Sequence, residues 1–285
     1  MTSVKISRDN LSDTIELVQD IAYEAGEILL KFQKKRHHLE VIDKGIEGIA
    51  SKADQESEEY IKQRLAKIFP DHEIMAEESD YLDYESAKKD WKNKDYLWVI
   101  DPLDGTNNFV NGIPIFAISI ALLSRGETLV GLVYNPHSGE CFYAGKNLGA
   151  FLIDYRINPL RKYPLENKVN EKSPSQCIFS PAPIYEMDNR FEQQLSAFKK
   201  NITGARAVRR LGCAALELCY VACGNFDAYW EKSLKPWDVA AGYLVCAEAG
   251  ISVTDFSGQV YSPFNDSIIA AAQPLYSQII GKISR

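Results

Sequence analysis

Histidine, cysteine and long apolar runs are all scarce in this chain of 285 residues. The four histidines (His37, His38, His72 and His137) are scattered, and the six cysteines (Cys141, Cys177, Cys213, Cys219, Cys223 and Cys246) form no CxxC pair. A zinc site built on nitrogen or sulfur is therefore not expected. Six cysteines are also too few for a disulfide scaffold; buried thiols are expected, with Cys219 and Cys223 on one helix face. No apolar stretch approaches the ~20 residues that cross a bilayer. The opening MTSVKISRDN lacks the apolar core of a signal peptide, so a soluble, cytoplasmic protein with no membrane partner is expected. Positive charge is not in excess: the net charge of −7 makes a wide basic face for nucleic acid unlooked-for. GxSxG, GxxxxGK[ST], GxGxxG and HExxH are all missing, as are internal repeats and low-complexity segments.

What is present is globular composition. Hydrophobic residues make up 46% and charged ones 25%, enough apolar material for a substantial core. Apolar residues from Leu11 to Phe32 recur at helical spacing. Ser51-Lys52-Ala53-Asp54 has the form of a capping box, opening a second helix that Pro70 ends. Short strands are predicted at Glu73–Ala76 and Tyr96–Ile100, with the charged segment 79–95 between them as a surface excursion. Ile115–Leu123, Thr128–Tyr134 and Glu140–Ala144, joined by turn sequences, predict an antiparallel meander whose strand edges need covering. Residues 156–175, rich in Asn, Pro, Lys and Glu, mark a boundary between subdomains 1–155 and 156–285. Beyond it the pattern predicts strands near 177–180, 205–209, 251–255 and 267–272, and helices near 190–199, 214–223 and 236–249. Strands outnumber a simple βαβ alternation, so the fold class is mixed α/β, or α+β.

Three acidic places carry the chemistry. In WVIDPLDGTNNFVNGIP (98–114) an apolar strand ends in Asp101, Pro102 breaks it, and Asp104 follows with Gly105 and Thr106. Paired carboxylates suit a hard cation, and backbone N–H groups in such a turn suit phosphate. Glu77-Glu78 follows another strand at a similar offset, and Asp238 stands in the first turn of a helix, where the helix dipole favours an ionised acid. Each alone also fits a plain structural role. Together, with no histidine set to compete, they form an all-oxygen donor group suited to Mg²⁺, with Mn²⁺ as an alternative.

These segments resemble the inositol monophosphatase family of Mg²⁺-dependent, lithium-sensitive sugar phosphatases. Trp98–Pro114 is similar to its WxIDPxDGTxNFxxGxP motif, and 236–250 to its WDxAAGxLLxxEAGG motif. Ala76-Glu77-Glu78-Ser79 resembles its GEES, Ser51–Asp54 its segment bearing a buried aspartate, and 210–214 its RxxGxxA segment. The resemblance implies the layered αβαβα sugar-phosphatase fold and a site holding two or three metal ions. It implies Glu77, Asp101, the Leu103 carbonyl, Asp104 and Asp238 as metal ligands. Glu77 and Thr106 would orient the attacking water, with Asp54 supporting Thr106. Gly105 and Thr106 would give N–H groups to the phosphate. Asp104, Gly212, Cys213, Ala214, Glu231 and Asp238 would face the substrate, and Lys44 matches a lysine on a mobile hairpin near the phosphate. Homodimers are common in the family.

The expected activity is hydrolysis of a phosphate monoester of a polyol, foremost inositol 1-phosphate, by metal-activated water. Fructose 1,6-bisphosphate, histidinol phosphate and 3′-phosphoadenosine 5′-phosphate are the alternative substrates. A catalytically idle member that interacts with RNA or protein is the alternative from another class. Its basic cluster would be Lys199, Lys200, Arg206, Arg209 and Arg210, but an idle protein has no need of several carboxylates around an empty site, where they repel.

Overall fold

A computed structural model describes residues 8–35, 41–43, 49–80, 84–166, 171–181, 195, 198–200 and 202–283. The first helix, α1 (Arg8–Lys34), buries Leu11, Ile15, Val18, Ala22, Ala25 and Leu29, a stripe at alternating steps of three and four. It packs on α2 (Lys52–Ile68), which follows the hairpin β1 (Val41–Asp43) and β2 (Ile49–Ser51). Both helices cover one face of a seven-stranded sheet in simple chain order. Its strands are β3 (Glu73–Ala76), β4 (Leu97–Asp104), β5 (Ala117–Ser124), β6 (Glu127–Asn135), β7 (Glu140–Gly145), β8 (Gly149–Asp154) and β9 (Lys162–Leu165). Only β3 and β4 run parallel.

Both faces of this sheet are covered, which explains the unbroken apolar runs of its strands. In β5, Ile118, Ile120 and Leu122 join the core beneath α1 and α2, while Ala117, Ala121 and Leu123 join the core on the other face. That second face receives α6 (Ala214–Ala222) and α7 (Pro236–Glu248). Behind those helices lies a second sheet of order β11-β10-β12-β14-β13: β10 (Ile178–Pro181), β11 (Ala207–Val208), β12 (Ala228–Lys232), β13 (Ser252–Thr254) and β14 (Ser267–Ala271). Its strands alternate too. Tyr229, Ile268 and Ala270 face the helices, and Trp230, Ile269 and Ala271 face α8 (Leu275–Ile283). The result is five layers, αβαβα, in a mixed α+β fold.

Several elements differ from the expectation. The segment 79–95 is not all surface excursion: α3 (Glu77–Asp80) begins it and α4 (Tyr84–Lys92) fills most of it. Tyr84 is buried, edge-on against Trp237. Two aromatics seven residues apart, Tyr84 and the partly buried Trp91, dock this otherwise charged helix on the core. Strand β4 runs on through Asp101 to Asp104, because a bulge lets it keep pairing with β5 across Pro102. β8 and β9 extend the meander, so 156–175 contributes a strand to the first sheet and the meander's own strands are interior. The helix expected near 190–199 lies largely outside the described residues. All six thiols are free; five are buried, and Cys223 is partly exposed at the end of α6. Among the described residues no helix is long and apolar enough to cross a membrane.

Candidate active site

The bulge in β4 builds the centre of the site. Asp101 pairs with Ser119 and Asp104 with Ala117, so three steps on β4 match two on β5. Pro102 has no N–H to offer the ladder. Leu103 N–H donates to Asp101 Oδ1 at 2.9 Å, which turns this carboxyl back over the bulge. Gly105 follows at φ +87°, and a Cβ there would stand 3.0 Å from the Ile115 carbonyl and 3.3 Å from Cys213 Cβ, so only glycine fits. Thr106 then opens α5 (Thr106–Val110).

α2 supports this turn from below. Its Ser51–Asp54 capping box is formed: Ser51 N–H and Oγ both donate to Asp54 Oδ2, at 2.8 and 2.5 Å. The other oxygen, Oδ1, lies 3.1 Å from Thr106 Oγ1, which also lies 3.0 Å from the Leu103 carbonyl. One turn further along, Ser57 Oγ donates to the Pro102 carbonyl at 3.1 Å, and Glu58 Oε2 accepts Glu78 N–H at 2.8 Å. α2 thus holds both the β4 turn and the start of α3, where Glu77 stands.

From the second half of the chain, Asp238 enters as the third residue of α7, its Oδ2 accepting Lys235 N–H at 2.7 Å. Asp104 reaches across to α6, accepting Ala215 N–H at 2.7 Å and the Cys213 thiol at 3.2 Å. Asp104 therefore caps a helix from outside it. Burial drives Asp101 well above the usual carboxylate range, reinforced by the charges of Glu77, Asp104 and Asp238. Burial likewise lifts Asp104 to about 7 and Asp238 to about 8, the latter with the added repulsion of Asp104. Asp54 is raised to about 6, again chiefly by burial.

Four of the expected ligand side chains, Glu77, Asp101, Asp104 and Asp238, thus lie within electrostatic reach of one another, drawn from three elements. Each of the three aspartates gives one oxygen to the protein and leaves the other without a hydrogen bond from the described residues. Buried carboxylates that raise one another's pKa and hold oxygens in reserve fit a hard divalent cation. Among the described residues no three His, Cys, Asp or Glu side chains are placed to hold a metal ion together. Mg²⁺ does not need one, because it keeps waters and takes one or two carboxylates plus substrate phosphate.

Gly212, at φ +72°, and Cys213 pack against Gly105, which places 212–214 beside the turn. Glu231 is buried on β12, and its carboxylate is engaged. Arg210 donates to both its oxygens, at 2.6 and 3.0 Å, and Tyr229 OH donates at 2.5 Å. Lys44 lies outside the described residues. Sequence reasoning missed Ser57, Glu58, Asn108, Glu217 and Tyr229. Ser57 and Glu58 carried a signal: with Asp54 they extend the buried stripe of Ile61 and Leu65, where polar residues are out of place. A separate cavity of about 500 Å³ opens at the far end of α6, lined by Leu165, Lys172, Cys223 and Phe226 among others, and includes none of these carboxylates.

A model of the inositol monophosphatase family matches residues 10–285. The chain belongs to that family. It is 36% identical over 262 residues to the Nus factor SuhB of Pasteurella multocida, covering 92% of each chain. To the fructose-1,6-bisphosphatase/inositol-1-monophosphatase of Aquifex aeolicus it is 34% identical over 277 residues, covering 95% of this chain and 96% of the other. The crystal structure of extragenic suppressor protein suhB from Bartonella henselae superimposes with a TM-score of 0.81 at 31% identity, covering 96% of this chain and 99% of that one. The inositol monophosphatase family is one of generally metal-dependent phosphatases, and the donor set of this member is of the matching kind.

Proposed function

We propose that this protein is a Mg²⁺-dependent, lithium-sensitive phosphomonoesterase of the cytoplasm that hydrolyses a polyol phosphate, foremost inositol 1-phosphate. One observation carries the reading: Asp101, Asp104 and Asp238 lie within electrostatic reach of one another, the first two in the turn whose threonine is hydrogen-bonded to a buried aspartate. Glu77, Asp101, the Leu103 carbonyl, Asp104 and Asp238 would hold the metal, for which Mn²⁺ can substitute. When bound, the metal neutralises phosphate charge and lowers the pKa of the attacking water.

The chain's own residues do the rest. Thr106 Oγ1 orients the water, with Glu77 on the acidic side and Asp54 accepting the hydroxyl's hydrogen bond. Gly105 and Thr106 offer N–H groups to phosphate oxygens. The new oxygen–phosphorus bond forms as the ester bond breaks, and the polyol leaves as an alcohol after taking up a proton. No covalent enzyme intermediate is needed. Gly212, Cys213, Ala214 and Glu231 face the polyol. Arg210 and Tyr229 leave Glu231 one lone pair, on Oε1, so it reads a single hydroxyl.

Phosphate release measured on inositol 1-phosphate, fructose 1,6-bisphosphate, histidinol phosphate and 3′-phosphoadenosine 5′-phosphate tests the reading. Activity should vanish with EDTA and return with Mg²⁺; full turnover after exhaustive chelation would sink it. The name Nus factor, attached to a relative, keeps a second reading open, in which a partner is bound and no ester is cut. Release from none of the four esters would favour it. We also propose a homodimer, since Ile157 (38% exposed), Leu160 (57%) and Tyr163 (38%) stand exposed in β9, the sheet's outermost strand, and in the segment that leads into it. A strictly monomeric mass by light scattering overturns that assembly.

A further inference from the structure

We infer that Glu217 is a positioning residue for substrate recognition: it fixes the segment 209–213 against the Asp104–Gly105 turn and so sets how the site reads the part of the substrate beyond the phosphate. The inference rests on the phosphatase reading above.

Glu217 lies in the first turn of α6, wholly buried among Ala214, Ala215, Leu216 and Leu218. Its side chain turns back past the helix start. Oε1 accepts Leu211 N–H at 2.9 Å and the Ser180 hydroxyl at 2.5 Å. Ser180 Oγ also stands 3.1 Å from the Arg209 carbonyl. From the other half of the chain, Asn108 Nδ2 donates to the Leu211 carbonyl and to the Ile115 carbonyl, both at 2.7 Å. Peptide groups on either side of Arg210 are thus pinned from three elements. Arg210, held between them, makes the two-pronged pair with Glu231.

The pinned segment leads straight into the site. Leu211 is followed by Gly212, in the left-handed region, and then by Cys213, whose thiol donates to Asp104. Gly212 and Cys213 are the groups that pack on Gly105. A displaced Leu211 would shift both Arg210, and through it Glu231, and the 212–214 wall.

Glu217 carries a cost of its own. Its Oε2 is buried with no hydrogen-bond partner among the described residues, and a buried carboxyl oxygen left so is costly. Burial also raises its pKa, with Arg210 opposing. At this place on an otherwise apolar helix, leucine or methionine would avoid that cost but leave Leu211 N–H without its acceptor. The cost is offset by what the remaining oxygen holds in place.

Steady-state kinetics of wild type, Glu217→Ala, Glu217→Gln and Ser180→Ala, on inositol 1-phosphate and on p-nitrophenyl phosphate, test the inference. Glutamine keeps an acceptor oxygen for Leu211 N–H; alanine does not. Glu217→Ala should raise KM for the polyol ester about 10-fold or more, the scale of a lost charge-assisted hydrogen bond. Its kcat and its KM for p-nitrophenyl phosphate should stay within about twofold of wild type. Glu217→Gln should restore most of the loss, and Ser180→Ala should show a smaller shift in the same direction. If Glu217→Ala does not fold, the Ser180→Ala shift, confined to the polyol ester, decides. Equal changes on both esters, a glutamine variant as impaired as the alanine one, or unchanged variants overturn the inference alone. A wild-type protein that cleaves neither ester overturns the phosphatase reading, and this inference with it.

Discussion

Among single residues, charge decides the clearest outcomes. Asp101 and Asp238 each bring a negative charge and an oxygen that takes no hydrogen bond from the described residues, and asparagine keeps the oxygen without the charge. Asp101→Asn or Asp238→Asn should lower kcat at least ~100-fold, on the scale of losing a metal's several kcal/mol. The fold should survive, because each substitution relieves repulsion within a group whose members push one another's pKa upward. Near-normal activity at ordinary Mg²⁺ would show that the residue is no ligand, and unfolding would show a structural role. Glu231 makes a sharper contrast. Glu231→Gln should lower kcat/KM for a polyol phosphate while sparing p-nitrophenyl phosphate and Mg²⁺ affinity measured by calorimetry. The pair with Arg210 adds a structural cost, since a half-buried guanidinium loses its carboxylate. Equal losses on both esters would remove Glu231 from the substrate side. Asp101, Asp104 and Thr106 were legible because they fall within six residues of one turn. Glu217, Ser57 and Asn108 were not, because each has a partner far off in sequence: Ser180 for Glu217, Pro102 for Ser57 and Leu211 for Asn108.

Among elements, close approach between layers is the decisive feature. Gly131 in β6 faces α7 so closely that a Cβ would stand 2.6 Å from the Ala241 carbonyl. That atom is backbone of the helix that carries Asp238, so it cannot swing aside. Gly131→Ala should destabilise the protein by about 1–3 kcal/mol through overpacking. It should also lower activity more than the stability loss explains, because α7 must shift and take Asp238 with it. Urea unfolding alongside kcat measures both; unchanged unfolding would mean that the helix yields freely. The helices and strands with strong periodicity, α1, α2 and β5 to β7, were legible from their apolar spacing. α4 was not, since only Tyr84 and Trp91 dock it from within a charged segment, and β9 was not, since Lys162, Tyr163 and Pro164 are exposed and carry no alternation. The turn containing Asp101 read as the end of a strand because proline usually stops a ladder; only the bulge, a tertiary adjustment, carries β4 through it.

Across the whole molecule, the site is a seam between the two sheets' helical layers and the β4 turn, and its cost appears as a dependence of stability on pH. Asp54, Asp104 and Asp238 have folded pKa values of about 6, 7 and 8, above their ordinary 3.8. Between about pH 4 and those values the native state binds more protons than the unfolded chain. The slope of unfolding free energy with pH follows the proton count of the unfolded state minus that of the native one, so it is negative here. These groups therefore add stability at low pH that is lost as pH rises through 6 to 8. His72 works the other way, since burial lowers its pKa and its native form binds fewer protons below about neutrality. The difference in melting temperature between Mg²⁺-loaded and EDTA-treated protein cancels the His72 contribution, which is the same in both. A cation among the carboxylates takes the place of their protons, and binding to the native state alone stabilises it. The Mg²⁺-induced rise in melting temperature should accordingly be small at pH 5 and grow towards pH 8. A rise that is equal at both ends, or larger at pH 5, would mean that Mg²⁺ binds away from these carboxylates, and the donor set assigned to Asp101, Asp104 and Asp238 would have to be abandoned.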